Sequence, residues 1–131
     1  MIARVGVCGL LLACLLTACA TEPTSAGVDC VSASDLLSRA AIGEEEVVIC
    51  GYLHYRFEDH SLYPTKSEAR RQGQSCFGLG VQESLVKSLE TLDDSKVRLT
   101  GTLLSLACPE GALCMSQCTG PTLLVRDAAE L

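Results

Sequence analysis

Between positions 52 and 63 the chain places Tyr52, His54, Arg56, Glu58, His60 and Tyr63, the side chains best suited to chemistry or to binding. An imidazole titrates near neutrality, and a neighbouring carboxylate or guanidinium shifts it, so such a group can move protons. In an extended chain a spacing of two puts Tyr52, His54, Arg56 and Glu58 on one side. All four follow Gly51, so a bend there would not scatter them, and His60 and Tyr63 fall close to the next turn. A hydrolase or metal enzyme would centre on His54, Glu58 and His60. The plainer alternative is a polar row on a half-exposed strand, where cross-strand charge pairs commonly settle. No nucleophile elbow, phosphate-cradling glycine loop, H-E-x-x-H, C-x-x-C or haem-attachment C-x-x-C-H occurs. No catalytic residue is therefore assigned and no cofactor is expected.

The nine cysteines, set against no tryptophan, must be sorted by compartment. Residues 1–18 carry Arg4, then an apolar run through Leu10, Leu11, Leu12, Leu15 and Leu16, then small residues. This is the pattern of an export signal, too short to span a bilayer stably. It ends at Leu16-Thr17-Ala18-Cys19, which resembles the lipobox of bacterial lipoproteins. The resemblance implies cleavage before Cys19, lipidation of Cys19 and attachment to membrane. Ala20 after it implies the outer membrane, facing the periplasm. Residues 19–29 would be the lipidated cysteine and a flexible tether, T-E-P-T-S-A-G-V at its centre.

Six cysteines then remain in a domain spanning 30–131: Cys30, Cys50, Cys76, Cys108, Cys114 and Cys118. In an exported domain they read as three disulfides, whose pairing stays open among about fifteen possibilities. Cys108, Cys114 and Cys118 lack the paired spacing of zinc modules, so no metal is expected. The formal charge is −6; without Arg4 it becomes −7, from 9 basic and 16 acidic residues. Such a balance has no electrostatic footprint for a phosphate backbone, which excludes nucleic acid as the expected partner.

The elements that would position these residues begin with a long strand. Val47, Ile49, Gly51, Leu53, Tyr55 and Phe57 alternate against Val48, Cys50, Tyr52, His54, Arg56 and Glu58, giving an apolar face and a mixed one. Gly51 is the place for it to bend. The pattern V-x-[IL]-x-G-x-L returns at Val97, Leu99, Gly101 and Leu103, which suggests two barrel strands that each turn a corner at glycine.

Around this strand, Ser32–Ala41 reads as a short helix, and Glu58–Ser61 as a polar hairpin turn before a return strand at Leu62-Tyr63. Thr65-Lys66-Ser67-Glu68 has the form of a capping box, with Gly73 as the stop. Ser75–Val81 is a strand with two glycines on one face, a site of close approach by a ligand or, the preferred reading, by a neighbouring helix or strand. Gln82–Leu92 has helical periodicity through Leu85, Val86, Leu89 and Leu92, and Lys96–Leu106 is the second bent strand. A cysteine-bearing loop over Ala107–Pro121 leads to a last strand, Thr122–Val125, and an acidic end.

The order gives an all-β fold with minor helices: a small five-stranded OB-fold-like barrel, one helix between strands three and four, and a short N-terminal helix. Val48–Tyr63, with G-Y-L-H, F-E and L-Y, resembles uncharacterised bacterial OB-fold-like domains over about Val31 to Leu106. That resemblance implies a fold and no chemistry. The function expected is a lipid-anchored, non-catalytic binding or accessory module of the envelope, using its barrel face and the turn at Glu58–Ser61 towards another envelope protein. An alternative is a periplasmic inhibitor or immunity-type protein acting through the Cys108–Cys118 loop.

Overall fold

A computed structural model describes residues 29–39, 43–104 and 111–131. The expected signal, Cys19, most of the tether, Ala40 and Ala41 at the expected helix end, and Cys108 lie outside these residues.

Ten short elements follow in chain order: β1 (Val31–Ser32), α1 (Ala33–Leu37), β2 (Glu45–Arg56), β3 (Asp59–Tyr63), α2 (Lys66–Arg71), β4 (Phe77–Val81), α3 (Glu83–Leu92), β5 (Lys96–Leu104), β6 (Leu113–Cys114) and β7 (Thr122–Glu130). The sheet runs β2-β3-β4-β7-β5 and closes through a β2–β5 pairing, which makes a five-stranded barrel. Neighbours pair antiparallel except β4 and β7, which run parallel. This is the expected OB-fold-like barrel, with α3 between its third and fourth strands. β1 and β6 are additions, β1 beside β2 in parallel and β6 against β4.

Closure depends on β2 changing partner. Its first half pairs with β5 from Glu45 to Tyr52, and its second half with β3 from Tyr52 to Arg56. The change falls next to Gly51, where an added Cβ would meet Tyr63 O at 2.8 Å and Leu62 Cγ at 2.9 Å. β5 bends at its own glycine: the register with β7 shifts between Thr100 and Gly101, and a Cβ at Gly101 would collide with the Leu124 backbone. The two copies of the repeated motif pair with each other, Val47 with Gly101, Ile49 with Leu99 and Gly51 with Val97. Each glycine therefore lies opposite the first valine of the other copy.

Inside the barrel, Leu36, Ile49, Leu53, Leu62, Phe77, Leu79, Leu89, Val97, Leu99, Leu103 and Leu123 lose all contact with solvent. α1, capped by the Ser32 hydroxyl accepting from Asp35 N–H, contributes Ala33 and Leu36 to this core. α3 inserts Leu89, with Leu85, Val86 and Leu92 packed around it. In α2 the Thr65 hydroxyl accepts from Glu68 N–H.

Several boundaries differ from expectation: α1 stops at Leu37, short of the expected Ala41, and β4 starts at Phe77 and not at Ser75. The hairpin turn is Phe57-Glu58, not Glu58–Ser61, so Asp59, His60 and Ser61 belong to β3. Phe57 leaves the apolar face and is 88 % exposed. The left-handed residue that ends α2 is Gln72 (φ 49°), not Gly73. β7 continues to Glu130, because β5 offers it an antiparallel partner, across one register shift, as far as Val97.

Candidate functional site

The two-residue turn fixes the hairpin register: Tyr52 faces Tyr63, His54 faces Ser61, and Arg56 faces Asp59. These six side chains share the outer face, whereas Tyr55 and His60 form the adjacent pair on the inner one. His54 and His60 therefore lie on opposite sides of the sheet, and Glu58 stands apart in the turn. The hairpin thus does not bring His54, Glu58 and His60 together on one face. Among the described residues no group of three metal-ligating side chains comes together.

On the outer face everything converges on Asp59. His54 Nδ1 lies 2.5 Å from Asp59 Oδ2, with the ring N–H donating to the carboxylate. Ser61 Oγ donates to Asp59 Oδ1 at 2.5 Å, and the Tyr63 hydroxyl donates to Oδ2 at 3.2 Å. The His54 and Tyr63 rings meet edge to face. Burial, then the Asp59 charge, pushes Tyr63 up to about 12, so its hydroxyl stays a donor throughout the physiological range. A serine, a histidine and an aspartate are thus in contact, but not as a nucleophile relay. Ser61 and His54 both donate to the same carboxylate, no base receives the serine proton, and Ser61 is fully buried.

The remaining members of the row hold the barrel together. The Tyr52 hydroxyl donates to Asp94 O at 2.6 Å and to Asp94 Oδ1 at 3.0 Å. Arg56 Nε donates to Asp93 Oδ2 at 2.9 Å, while Asp93 Oδ1 accepts from Tyr55 N–H at 2.8 Å. The Asp93-Asp94-Ser95 connector after α3 is stitched to β2 from Leu53 to Arg56 by these bonds and by Leu53 N–H to Ser95 O. Tyr52, Arg56, His54 and Tyr63 therefore have structural partners.

On the inner face the Tyr55 and His60 rings stack at 4.0 Å and 14°. Among the described residues neither Tyr55 Oη nor His60 Nδ1 has a hydrogen-bond partner. His60 is only 8 % exposed, and that burial pulls its imidazole below the usual value, opposed by Asp59 and Glu90. Burial, assisted by Glu90, pushes the Tyr55 hydroxyl up. Both rings line a shallow cleft of about 270 Å³ with Phe57, Val86, Glu90 and Leu113.

Phe57 also borders a second, polar cleft of about 200 Å³ on the opposite flank, with Glu58, Asp59, Tyr63, Gln72 and Gln117. The hairpin tip is thus a ridge between two clefts. Glu58 in that ridge has φ 68°, a left-handed conformation that suits glycine. Beside it the segment 111–121 exposes Leu113 and Met115, and the Met115 carbonyl accepts from His60 N–H at 2.5 Å.

That segment is pinned to the barrel by the Cys76–Cys118 disulfide, and Cys30–Cys50 fixes the N-terminal entry to β2. Cys114 is disulfide-bonded as well. The close approach expected at the β4 glycines is made here: Cys114 Sγ stands 3.2 Å from a Cβ position on Gly80, and Ser116 Oγ packs onto Gly78.

No helix among the described residues is long and apolar enough to cross a membrane. No family model, curated protein or solved structure matches the chain.

Proposed function

We propose that this chain is a lipid-anchored, non-catalytic binding module of the bacterial envelope that takes hold of a partner protein with the ridge at Phe57-Glu58. The observation that carries this reading is the turn itself. A large aromatic side chain 88 % exposed and a glutamate in a left-handed conformation occupy the two positions of one tight turn. Either choice lowers stability, and local choices that work against the fold concentrate where a protein does something else. Leu113 and Met115 extend the apolar surface on the neighbouring segment. An exposed aromatic with adjacent aliphatics is the composition of an interface core, not of ordinary surface.

By analogy alone, OB-folds use the loop between strands one and two and the loop between strands four and five for ligands, and these are the two segments in question. The anchored address is supported by Leu16-Thr17-Ala18-Cys19 and by disulfides, which persist outside the cytoplasm. A photo-crosslinking residue placed at 57 or 113 should yield one discrete adduct in intact cells, while the same residue at Lys87 should give none. Equal adducts at all three positions, or none at any, would remove the ridge as the binding surface.

A second reading has its own observation. The disulfide-pinned segment 111–121 has the constrained build of an inhibitory loop that plugs a cleft. In that case Leu113→Ser with Met115→Ser abolishes inhibition of an envelope hydrolase while Phe57→Ser leaves it intact.

A further inference from the structure

We propose that the barrel face around Tyr52 is a docking surface for the anionic headgroups of the membrane to which the chain is tethered. The inference rests on the anchored reading above. It starts from how the nine cations beyond Arg4 are distributed. Arg39, Arg56, Arg71 and Arg126 each pair with a carboxylate, Glu45, Asp93, Glu68 and Glu46 respectively. Among the described residues Lys66, Arg70, Lys87, Lys96 and Arg98 have no such partner.

Four of these five unpaired cations gather on one face. Antiparallel register sets Lys96 opposite Tyr52 and Arg98 opposite Cys50. Lys66 Nζ lies 5.7 Å from the centre of the Tyr52 ring, and Arg70 follows one helical turn later on the exposed side of α2. Alternation along β5 turns Lys96 and Arg98 outward, since Val97 and Leu99 between them are fully buried. Asp94 enters this face as well, where its carboxylate accepts from the Tyr52 hydroxyl and keeps its charge, so four cations there face one such carboxylate. A chain with a formal charge of −6 therefore gathers most of its unpaired positive charge on one face.

That place is also where the tether arrives. Cys30, eleven positions after Cys19, is bonded to Cys50 in the middle of the face. Eleven residues of extended chain reach on the order of 35 Å, so a lipid on Cys19 leaves the face within reach of the bilayer. A cation near an anionic surface contributes about 1 kcal/mol, or about fivefold in binding. The patch would thus lay the barrel down on the membrane by this face, leaving the Phe57 ridge at the end of the same hairpin free for its partner.

The test uses the mature lipoprotein in vesicles of phosphatidylcholine, with and without one third phosphatidylglycerol. A water-soluble amine reagent should modify Lys66 and Lys96 about fivefold more slowly, relative to Lys87, in the anionic vesicles, and 0.5 M salt should restore the ratio. An unchanged ratio overturns the inference while leaving the anchor standing. The anchor has its own readout, the mass of the processed N-terminal peptide. Should that mass show no lipid, the chain is added to the same vesicles and sedimented. Binding to anionic vesicles that falls about a hundredfold in Lys66→Gln/Lys96→Gln/Arg98→Gln then supports the patch without the anchor, and equal sedimentation with neutral vesicles sinks it.

Discussion

Asp59 accepts from an imidazole, a buried hydroxyl and a phenol, which makes it the most connected polar group of the hairpin. Removing it leaves the fully buried Ser61 hydroxyl without its acceptor. Asp59→Ala should lower unfolding free energy by roughly 2–4 kcal/mol in urea titration, the range for losing charge-assisted bonds and stranding buried donors. A loss under 1 kcal/mol would mean that the three donors find other partners. His60 makes a second residue-scale prediction, one of pH. Its folded pKa is lowered, chiefly by burial, so above about 6.5 both folded and unfolded chains carry it neutral and it adds no pH dependence. As pH falls below that value the unfolded chain takes up the proton first, and stability declines towards the lowered folded pKa. His60→Phe keeps a ring stacked on Tyr55 and removes the unpartnered nitrogen. Thermal melts between pH 7.5 and 5 should therefore fall less steeply in His60→Phe than in the parent; parallel slopes would place the titration elsewhere.

At the scale of elements, the corners of the barrel were legible because glycine inside a strand is a local signal that survives without knowledge of partners. Gly51 and Gly101 both sit where another backbone passes, so a single methyl at either must displace it. Gly51→Ala and Gly101→Ala should each cost about 3 kcal/mol or prevent folding, whereas Gly43→Ala, with open space around its Cβ position, should be tolerated. Equal denaturation midpoints for all three would deny the corners. The capping serine of α1, the Thr65 cap of α2 and the period of α3 were legible for the same reason, since each is decided within four residues. The hairpin turn was not. Phe57-Glu58 has no turn chemistry of its own, and Glu58-Asp59-His60-Ser61 looks more polar, yet the fold puts the turn two residues earlier to bury Leu62 and pair His54 with Ser61. That shift hid the site: with the register known, Asp59 and Ser61 fall on the same face as His54, and without it they read as loop. The replacement Phe57→Ser/Glu58→Gly restores ordinary turn residues. It should raise stability by about 0.5–1 kcal/mol while abolishing the crosslink to the partner, a separation that a purely structural turn would not show.

For the molecule as a whole, cystine content compensates for few aromatics. The six cysteines from Cys30 onward pointed to staples, but their pairing depended on which strands become neighbours, and sequence spacing does not encode that. The fold brings Cys30 to Cys50 by laying β1 along β2, with Cα atoms 5.5 Å apart, and brings Cys76 to Cys118 at 5.0 Å across the end of the barrel. The two bridges close segments of 20 and 42 positions, which in the chain-entropy limit correspond to about 3 and about 4 kcal/mol. They do different work. Cys30–Cys50 ties the entry of the chain to β2, whereas Cys76–Cys118 pins the segment that carries Leu113, Met115 and Gln117 beside the ridge. Cys76→Ser/Cys118→Ser should lower the urea midpoint and also open residues 111–121 to limited proteolysis while the barrel stays resistant. Cys30→Ser/Cys50→Ser should lower the midpoint comparably but leave 111–121 protected, because β6 still pairs with β4 and Cys114 keeps its own disulfide. Cleavage at 111–121 that is the same in both double variants would show that the segment is held by the barrel's stability alone and not by its own bridge.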